Sequence, residues 1–529
     1  MRIACLAFLL LVPLLHGTTG PELYQQHCAV CHGPDGRGVA GAIPPLASSD
    51  FITRQRLKAL QAPLGGLSGA IEVNGTHYDG IMPPLALPDE EVAAILGYVF
   101  SSWGNQETAP TVKEITEARR GTRFKTLAAL KASYRGTALP PAPPGWTLSV
   151  GAELSFSPVK LAAHPDGQHV LALAEGGDVW SWTVGKPDVS LLYPAASYQN
   201  PALGFPNVVG MTVDREGRLY MVCNQRDETL RPVMNHVTIF RTAPWSAEHG
   251  WGKPAPWFQT DYPWGIGSYN HGASHAAIGP DGWLYVNSGS RTDGGEAGKR
   301  SAYAKLGETP ITACMWRLNP AEEKPVLQIY ARGLRNSFGF CWDEAGHLLA
   351  TENGPDADAP EELNWIEADH HYGFPFQFSD WTRKPYRHTP DAPPGLVITP
   401  PFRNLGPDAG GKPGGLATFQ PHCSPAGITW LGTNWPAPLG GSFIVARFGN
   451  FLGGEGGFDL VQLRPDFSNR TTSAHSLVRP LGRPIDLLKL SEHRLVIAEY
   501  CGGTNPSQSF QTPGRLLVLT PAPSDAAAR

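Results

Sequence analysis

The sequence has no excess of positive charge: it carries 42 Lys and Arg against 47 Asp and Glu, a formal charge of −5 at pH 7. Nucleic-acid binders need basic side chains to neutralise phosphates, so this class of function is not indicated. Charged residues make up only 17% of the chain, while 41% of its residues are hydrophobic. This composition excludes a chain that is disordered throughout.

Long apolar runs are scarce. The run at residues 3–15 is shorter than the roughly 20 residues that a membrane-spanning helix needs. It follows Arg2 and precedes small residues at 17–20, a pattern typical of a secretory signal. The alternative is a buried N-terminal helix. We expect a signal peptide at residues 1–20 and a periplasmic mature protein with no membrane span.

Cysteine is also sparse, with 8 residues in the chain. Cys5 lies in the expected signal peptide, and Cys28 and Cys31 form a separate motif described below. An odd number then remains, so at least one thiol is free, and the sequence gives no pairing. The remaining cysteines are Cys223, Cys314, Cys341, Cys423 and Cys501.

The strongest local motif is Cys-Ala-Val-Cys-His at residues 28–32. Two thiols at this spacing can each bond one vinyl group of a porphyrin, and the adjacent His32 then faces the iron. A zinc site would need a second pair of ligands, and a redox dithiol would need a strand–helix context. Neither is found near this motif. We expect a covalently attached heme c, held by Cys28 and Cys31, with His32 as an axial ligand.

The second axial ligand can be argued by elimination, because Met82 is the only methionine between residues 21 and 110. A thioether opposite a histidine raises the reduction potential, which suits an electron acceptor. His77 is the rival ligand, and His27 lies too close to the attachment site. Acidic residues after Pro88 then predict the start of a helix. Residues 21–105 as a whole resemble the class I cytochromes c.

A connector is expected at residues 106–145. It has mixed charge and some helical potential, and it ends with four prolines among residues 140–144. Prolines at this density favour a stiff, extended spacer. At the other end of the chain, residues 522–529 are expected to form a disordered tail.

A loose repeat recurs between residues 146 and 521. Each copy has an apolar strand, a turn that often contains Asp and Gly, and a second apolar strand, which is a hairpin signal. Six copies predict an all-β six-bladed propeller rather than a pair of β-sandwiches. The copies begin near residues 161, 210, 278, 340, 427 and 485.

Several motifs in this region resemble one enzyme family. The segment from 332 to 375, with Gly-Leu-Arg-Asn-Ser at 333–337 and Glu-Asn-Gly-Pro at 352–355, resembles the soluble quinoprotein sugar dehydrogenases. Residues 422–427, 441–447 and 482–484 are most similar to the sorbosone dehydrogenase-like branch. This resemblance implies pyrroloquinoline quinone (PQQ) and calcium as cofactors, on a six-bladed propeller.

The resemblance also implies roles for individual residues. His271 matches the catalytic base, with His275 as the other candidate, and an imidazole suits proton transfer near neutral pH. Arg335 and Asn336 match the pair that holds the quinone, and Arg335 would also stabilise charge on it. The remaining matches are the calcium ligands Gly354 and Pro355 and the cofactor contacts Asn207, Arg447 and Arg483.

The sequence departs from the glucose-oxidising branch at two places. Arg447 stands where a lysine is usual, and Arg483 is one of two expected arginines. These departures weaken the assignment of the cofactor's carboxylate contacts, and they leave the substrate open.

The expected function is that of a periplasmic quinohemoprotein dehydrogenase. It would oxidise a sugar, polyol or related alcohol or aldehyde through PQQ, and pass electrons through heme c to a respiratory acceptor. One alternative is an electron-transfer cytochrome fused to a non-catalytic propeller that only binds a ligand. Another is a propeller lactonase, which would need calcium and no quinone.

Overall fold

The computed structural model describes residues 19–523 with gaps in the loops. The gaps are residues 40, 69–70, 79–80, 83–84, 86, 119–137, 205, 266–270, 296–306, 357–358, 380–383, 385–388, 409–415, 451–455, 492 and 502–512. The chain divides into two compact units, residues 1–133 and 134–529, which are described separately. No helix in the described part of the chain combines the length and hydropathy that a membrane span requires.

The first unit is mainly helical. Its helices are α1 (Gly20–His27), α2 (Ala29–His32), α3 (Asp50–Arg54), α4 (Arg56–Gly65) and α5 (Asp89–Ser101). Two short antiparallel ladders join β1 (Leu67–Ser68) to β4 (Ile81–Met82), and β2 (Ile71–Val73) to β3 (Thr76–Tyr78). Residues 112–118 form a further helical stretch.

Helix α1 begins at a capping box. The backbone N–H of Thr19 donates to the carboxylate of Glu22 at 2.9 Å. Gly20 then packs closely on α5, where an added Cβ would lie 2.3 Å from the carbonyl oxygen of Ala94. Thr19 and Gly20 therefore pack with the first unit, and the end of the signal peptide at residue 20 stays a prediction. The rest of that predicted segment lies outside the described residues.

Helix α5 forms where the sequence predicted it. Its first turn carries Asp89, Glu90 and Glu91, which stabilise the positive end of the helix dipole. An aromatic cluster secures it against α1: the ring of Tyr24 lies 5.5 Å from that of Tyr98 and 4.8 Å from that of Trp103. The crossing of these two helices closes the apolar core of the unit.

The second unit is a six-bladed β-propeller, which confirms the fold class predicted from the repeats. It opens with β5 (Trp146–Glu153). Blade 1 contains β6 (Pro158–Ala163), β7 (His169–Ala174), β8 (Val179–Thr183) and β9 (Val189–Tyr193), followed by a 3-10 turn at Ala195–Ser197. Blade 2 contains β10 (Pro206–Val213), β11 (Leu219–Asp227), β12 (Met234–Arg241) and β13 (Ala255–Pro263).

The next two blades follow in chain order. Blade 3 contains β14 (Ala273–Ile278), β15 (Leu284–Ser288), β16 (Cys314–Leu318) and β17 (Gln328–Arg332). Blade 4 contains β18 (Gly339–Trp342), β19 (Leu348–Glu352) and β20 (Glu362–Ile366).

Blade 5 has an extra strand. β21 (Arg403–Pro407) runs parallel to β25 (Thr471–Val478) at the outer edge. The other strands of this blade are β22 (Pro425–Trp430), β23 (Phe443–Arg447) and β24 (Asp459–Asp466).

Blade 6 is shared by the two ends of the propeller. It contains β26 (Pro484–Ser491), β27 (Arg494–Glu499) and β28 (Arg515–Pro521). Its fourth strand is β5, which pairs antiparallel with β28 from Arg515↔Glu153 to Pro521↔Trp146. These backbone hydrogen bonds close the ring of blades.

One strand of each blade lies at the centre of the propeller, and in blade 5 this strand is β22. β6, β10, β14, β18, β22 and β26 each contact their neighbours in a closed ring. Glycines permit this close approach: an added Cβ would lie 2.1 Å from the Ser274 carbonyl oxygen at Gly210, and 2.2 Å from the Ala426 carbonyl oxygen at Gly339. The inner ring thus depends on residues without side chains.

The turns between first and second strands use the aspartates that the repeats identified. Asp214 accepts the backbone N–H of Arg218 at 2.8 Å, and Asp343 accepts that of His347 at 2.8 Å. Asp166 and Asp281 make similar bonds within their own turns. Each of these turns lies where an inner strand ends. The loop from the preceding blade enters the same strand at its other end.

We expect Gly339→Ala to destabilise the propeller by about 1–3 kcal/mol, because its Cβ would collide with a backbone carbonyl that cannot move away. The measurement is chemical denaturation followed by tryptophan fluorescence. Gly456→Ala is the matched control, since an added Cβ there lies 3.5 Å from its nearest neighbour. Equal stability of the two variants would contradict the close packing of the inner strands.

Candidate functional site

The first unit contains an apolar cavity of about 160 Å³ beside α2. Cys28, Cys31, His32 and Met82 all line it. The rest of its wall is mostly apolar, and includes Phe51, Leu96 and Phe100. The structure thus brings together the four residues that the sequence assigned to heme attachment and ligation.

His32 is held in a defined orientation. Its Nδ1 atom lies 3.1 Å from the carbonyl oxygen of Pro44, which can only accept, so Nδ1 carries the proton. The lone pair of the imidazole is therefore on Nε2, the atom free to bind a metal. Burial lowers the pKa of His32, which keeps the ring neutral and able to act as a ligand.

Met82 reaches the cavity through a strand pair. In the β1–β4 ladder, Met82 pairs with Leu67, and both residues line the cavity. The rival ligands His77 and His27 are described, and neither is part of the lining. The placement agrees with the argument by elimination, and the ligand role itself stays a prediction.

The predicted site residues of the propeller lie at one end of its inner strands. His271, Arg335 and Arg483 stand just before β14, β18 and β26, and Arg447 ends β23. Contacts join His271 to Arg335 and, through Asn353, join Arg335 to blade 5, whereas Arg447 and Arg483 have other partners. Residue 270, which belongs to the same motif as His271, lies outside the described residues.

His271 and Arg335 converge on Ser290. The backbone N–H of His271 donates to the Ser290 carbonyl at 3.0 Å, and His271 Nδ1 lies 3.2 Å from Ser290 Oγ. The backbone N–H of Ser290 in turn donates to the Arg335 carbonyl at 2.6 Å. Burial, followed by the charge of Arg335, lowers the pKa of His271 to about 3, so its imidazole is neutral at pH 7.

Arg335 is buried with its charge compensated. Its Nη2 donates to Asp293 Oδ1 at 2.6 Å, Nε to the Asp293 carbonyl at 3.1 Å, and Nη1 to the Asn353 carbonyl at 3.1 Å. These bonds use three of the five N–H groups that a guanidinium offers. The side chain is therefore fixed in position and retains donors for a further acceptor.

Asn336 and Asn353 connect this network to blade 5. The Asn336 N–H donates to Glu352 Oε1 at 2.8 Å, and the Asn353 side chain donates to the Pro425 carbonyl at 3.0 Å. Gly354 and Pro355 follow directly. Among the described residues, no N–H or O–H group donates to either of their carbonyls. Both oxygens thus suit the predicted calcium role.

Three buried carboxylates lie around this turn, and the sequence analysis assigned no role to them. Glu361 accepts the N–H groups of Gly354 and, at 3.1 Å, of His422. Burial raises the pKa of Glu352 to about 7, and those of Glu361 and Glu362 to about 8. A nearby cation would lower all three pKa values.

Arg447 and Arg483 have internal partners of their own. Arg447 makes a bidentate bond to Asp459, at 2.8 and 2.6 Å, and an ion pair with Asp408 at 2.9 Å. Its buried Nη1 has no hydrogen-bond partner among the described residues. Arg483 donates to the Gly449 carbonyl at 3.1 Å, and its guanidinium stacks between two phenylalanine rings.

Asn207 is exposed at the start of β10, and a buried neighbour links it to the His271 segment. Asn224 donates to the carbonyls of Asn207 at 3.2 Å and Ala273 at 2.7 Å, and accepts the N–H of Ala273 at 2.9 Å. Sequence reasoning missed Asn224. Its signal was an amide that directly follows the five apolar residues 219–223 of β11, within a run of seven consecutive buried residues.

His275 lies deeper in the propeller than His271. Its Nε2 donates to the Phe340 carbonyl at 3.1 Å, and its ring packs edge-on against that of Phe340 at 4.5 Å. Burial and the charge of Lys160 lower its pKa well below that of a free histidine. This environment is that of a packed side chain between inner strands.

No disulfide joins the cysteines that the structure describes. Cys223, Cys314, Cys423 and Cys501 are buried, and Cys341 is partly buried. The thiols of the propeller therefore behave as small apolar core groups.

Two family models match this chain. Residues 18–103 match the cytochrome c family, and residues 157–393 match the family described as glucose / sorbosone dehydrogenase. Cytochrome c-552 from Thermus thermophilus is 38% identical over 122 residues, which cover 22% of this chain and 82% of that protein.

Two further similarities have lower sequence identity. The cytochrome c subunit of a quinone alcohol dehydrogenase from Gluconacetobacter polyoxogenes is 27% identical over 115 residues, 19% of this chain and 22% of that subunit. A crystal structure of glucose dehydrogenase superposes with a TM-score of 0.50 at 15% identity, over 70% of this chain and 99% of that one. This last similarity shows the propeller fold.

We expect Glu362→Gln to reduce the pH dependence of stability. With a pKa of about 8, Glu362 holds a proton in the folded state that the unfolded chain releases above about pH 5. The free energy of unfolding of the wild type should therefore fall by up to about 1.4 kcal/mol per pH unit between about pH 5 and pH 8. Glutamine has no proton to lose, and its amide can donate to the unpartnered Asn364 Oδ1.

The measurement is urea denaturation at pH 5.5, 7 and 8.5 in calcium-free buffer. The stability of the variant relative to the wild type should increase with pH. Glu323→Gln is the control, because its side chain is 91% exposed. A stability difference between Glu362→Gln and the wild type that is the same at every pH would contradict the raised pKa of Glu362.

Proposed function

The chain belongs to the cytochrome c family through its first unit and carries a glucose/sorbosone dehydrogenase domain in its propeller, and from this pairing we propose a quinohemoprotein dehydrogenase. It oxidises a hydroxyl or aldehyde group of a sugar or polyol. Electrons pass from PQQ to heme c and then to a respiratory acceptor. The observation that carries this proposal is the convergence of His271 and Arg335 on Ser290.

The cavity of the first unit fits a covalent heme. Cys28 and Cys31 supply the two thiols, and His32 presents Nε2 towards the iron because Pro44 occupies Nδ1. Met82, which also lines this cavity, would supply a thioether as the second axial ligand. When bound, the heme accepts and donates single electrons, and the apolar lining limits access of water to it.

The end of the propeller fits an anionic quinone with a calcium ion. PQQ carries carboxylates, and Arg335 and the unpartnered Nη1 of Arg447 are buried donors that suit them. Asn336 follows Arg335 directly, and Asn207 and Arg483 remain predicted contacts. The carbonyls of Gly354 and Pro355 offer hard oxygens to calcium. When bound, PQQ supplies the carbonyl group that accepts hydride from the substrate.

His271 would accept the proton of the substrate hydroxyl at Nε2. Its Nδ1 is directed to Ser290, which leaves Nε2 as the free atom. The pKa of about 3 keeps this atom unprotonated at neutral pH, and negative charge beside Arg335 would raise the pKa and strengthen the base. Arg335, locked by Asp293 and Asn353, would stabilise negative charge without having to reorganise.

The proposed compartment is the periplasm, because the residues before 19 have the pattern of a secretory signal. A c-type cytochrome on the same chain suits an exported dehydrogenase, since a two-electron donor needs a one-electron relay. The domain limits proposed above remain those of residues 21–105 for the cytochrome and 146–521 for the propeller.

We expect His271→Asn to lower the rate of sugar-dependent heme reduction by about two orders of magnitude or more. Asparagine can keep the contact with Ser290 but cannot accept the proton. The assay adds PQQ, calcium and a panel of aldoses and polyols to the purified protein and follows heme absorbance. His275→Gln is the control and should keep most of the activity.

Three results would contradict the proposal. If the wild type binds PQQ but no sugar reduces the heme, the propeller is a binding module. If His271→Asn is as active as the wild type, another group is the base. If the protein hydrolyses lactones with calcium alone, it is a lactonase.

We expect Met82→Ala to lower the reduction potential of the heme and to abolish the sulfur-to-iron charge-transfer absorption of the ferric form. The measurements are a spectroscopic redox titration and an absorbance spectrum. His77→Ala should leave both unchanged, because His77 does not line the cavity. A spectrum altered by His77→Ala and unaffected by Met82→Ala would assign the ligand to His77 instead.

A further inference from the structure

The turn between β6 and β7 brings together two histidines and an aspartate. Each of His164, Asp166 and His169 offers one ligand atom, and these atoms lie within 4.8 Å of one another. Across the described parts of the chain, this is the one group of three His, Cys, Asp or Glu residues that meets this distance. The turn is in blade 1, at the opposite end of the inner strands from His271 and Arg335.

Both imidazoles face the same carboxylate. His164 Nδ1 lies 3.0 Å from Asp166 Oδ1, and His169 Nδ1 lies 2.6 Å from Asp166 Oδ2. His164 Nδ1 also accepts the backbone N–H of Asp166 at 3.2 Å. A divalent cation can bind a nitrogen from each ring and a carboxylate oxygen, and displace the proton between His169 and Asp166.

The His164 ring is held by two tryptophans from blade 2. Its centroid lies 5.2 Å from that of Trp245 and 4.6 Å from that of Trp251. The indole N–H of Trp251 is itself fixed to the Gly217 carbonyl at 2.5 Å. The ligand is thus already oriented before a metal binds.

The corresponding turn of blade 4 holds one imidazole instead of two. There, His347 Nδ1 lies 2.7 Å from Asp343 Oδ2, so an Asp–His pair alone already serves the hairpin. The backbone hydrogen bonds place His164 where blade 4 has Asp343, because each donates its N–H at 3.1 Å to the carbonyl of the histidine that closes the turn. Blade 1 therefore has an imidazole in place of that aspartate and carries its carboxylate two residues later, on Asp166, where blade 4 has Ala345. The third potential ligand is thus a feature of the blade 1 turn.

We propose that His164, Asp166 and His169 form a binding site for a borderline divalent transition metal of the Zn²⁺ type, with one coordination position open to solvent. Two imidazoles and one carboxylate suit Zn²⁺, Cu²⁺ or Ni²⁺ better than calcium, which prefers oxygen ligands alone. The side chains are 10%, 18% and 33% exposed in the order His164, Asp166, His169, so the ion can enter from solvent.

The site is separate from the proposed dehydrogenase chemistry. It lies on a hairpin turn at the far end of an inner strand, whereas His271 and Arg335 lie on loops that lead into inner strands, and Gly354 follows β19 at the end where β18 begins. A metal ion at this turn would cross-link the adjoining ends of β6 and β7, next to the loop of blade 2 that carries Trp245 and Trp251. It should raise the thermal stability of the folded protein, because the unfolded chain lacks the preformed ligand set.

The test is a competition titration with Zn²⁺ and a chromophoric chelator, in the presence of excess calcium and with the full heme-containing protein. The wild type should bind one Zn²⁺ per chain. His164→Gln and His169→Gln should each weaken that binding about tenfold or more, while His347→Gln, the matched turn histidine, should leave it unchanged. X-ray absorption at the zinc edge should show two imidazole nitrogens.

His169→Gln guards against a folding artefact, since its side chain is partly exposed and does not touch the tryptophans that hold His164. The proposal is overturned if wild type and His169→Gln bind Zn²⁺ equally, or if His347→Gln weakens binding as much as His169→Gln. Heme reduction by sugar should be the same in the wild type and His169→Gln. Loss of Zn²⁺ binding with activity retained supports the site independently of the proposed dehydrogenase activity.

Discussion

The ion pair between Arg335 and Asp293 is the interaction on which the functional end of the propeller depends. Both side chains are almost fully buried, and an uncompensated charge at such depth would cost several kcal/mol. The pairing fixes the loop after β15, and through Ser290 it fixes the orientation of His271. Through Asn353 it also positions the turn that carries Gly354 and Pro355. One salt bridge therefore sets the positions of His271, Arg335 and the turn at Gly354 and Pro355 together.

The charges around this ion pair are unevenly balanced. Glu352, Glu361 and Glu362 lie buried near one another with raised pKa values, while Arg447 keeps one buried donor unpartnered. When no cation is bound, protonation of these three carboxylates removes the repulsion between their negative charges. A divalent cation next to the acids and an anion next to the arginine would each relieve the imbalance. The polar interior is thus complementary to a calcium ion with an anionic cofactor.

Local chemistry made part of this molecule predictable. The Cys-Ala-Val-Cys-His motif, the start of α5 and the aspartate turns each depend on residues a few positions apart, so the sequence displays them directly. The partners Ser290, Asn224 and Glu361 could not be predicted, because they meet the site only after strands 17 to 61 residues apart have packed. The packing of Gly20 against Ala94 could not be predicted for the same reason.

The pairing of β5 with β28 has a consequence for how the chain is made. The first strand of the propeller, β5, pairs with the last strand, β28. The propeller therefore cannot close until β28 has been synthesised, more than 350 residues after β5. The described helices of the first unit, by contrast, all lie within the first quarter of the chain. The first unit is therefore synthesised in full long before the strand that closes the propeller.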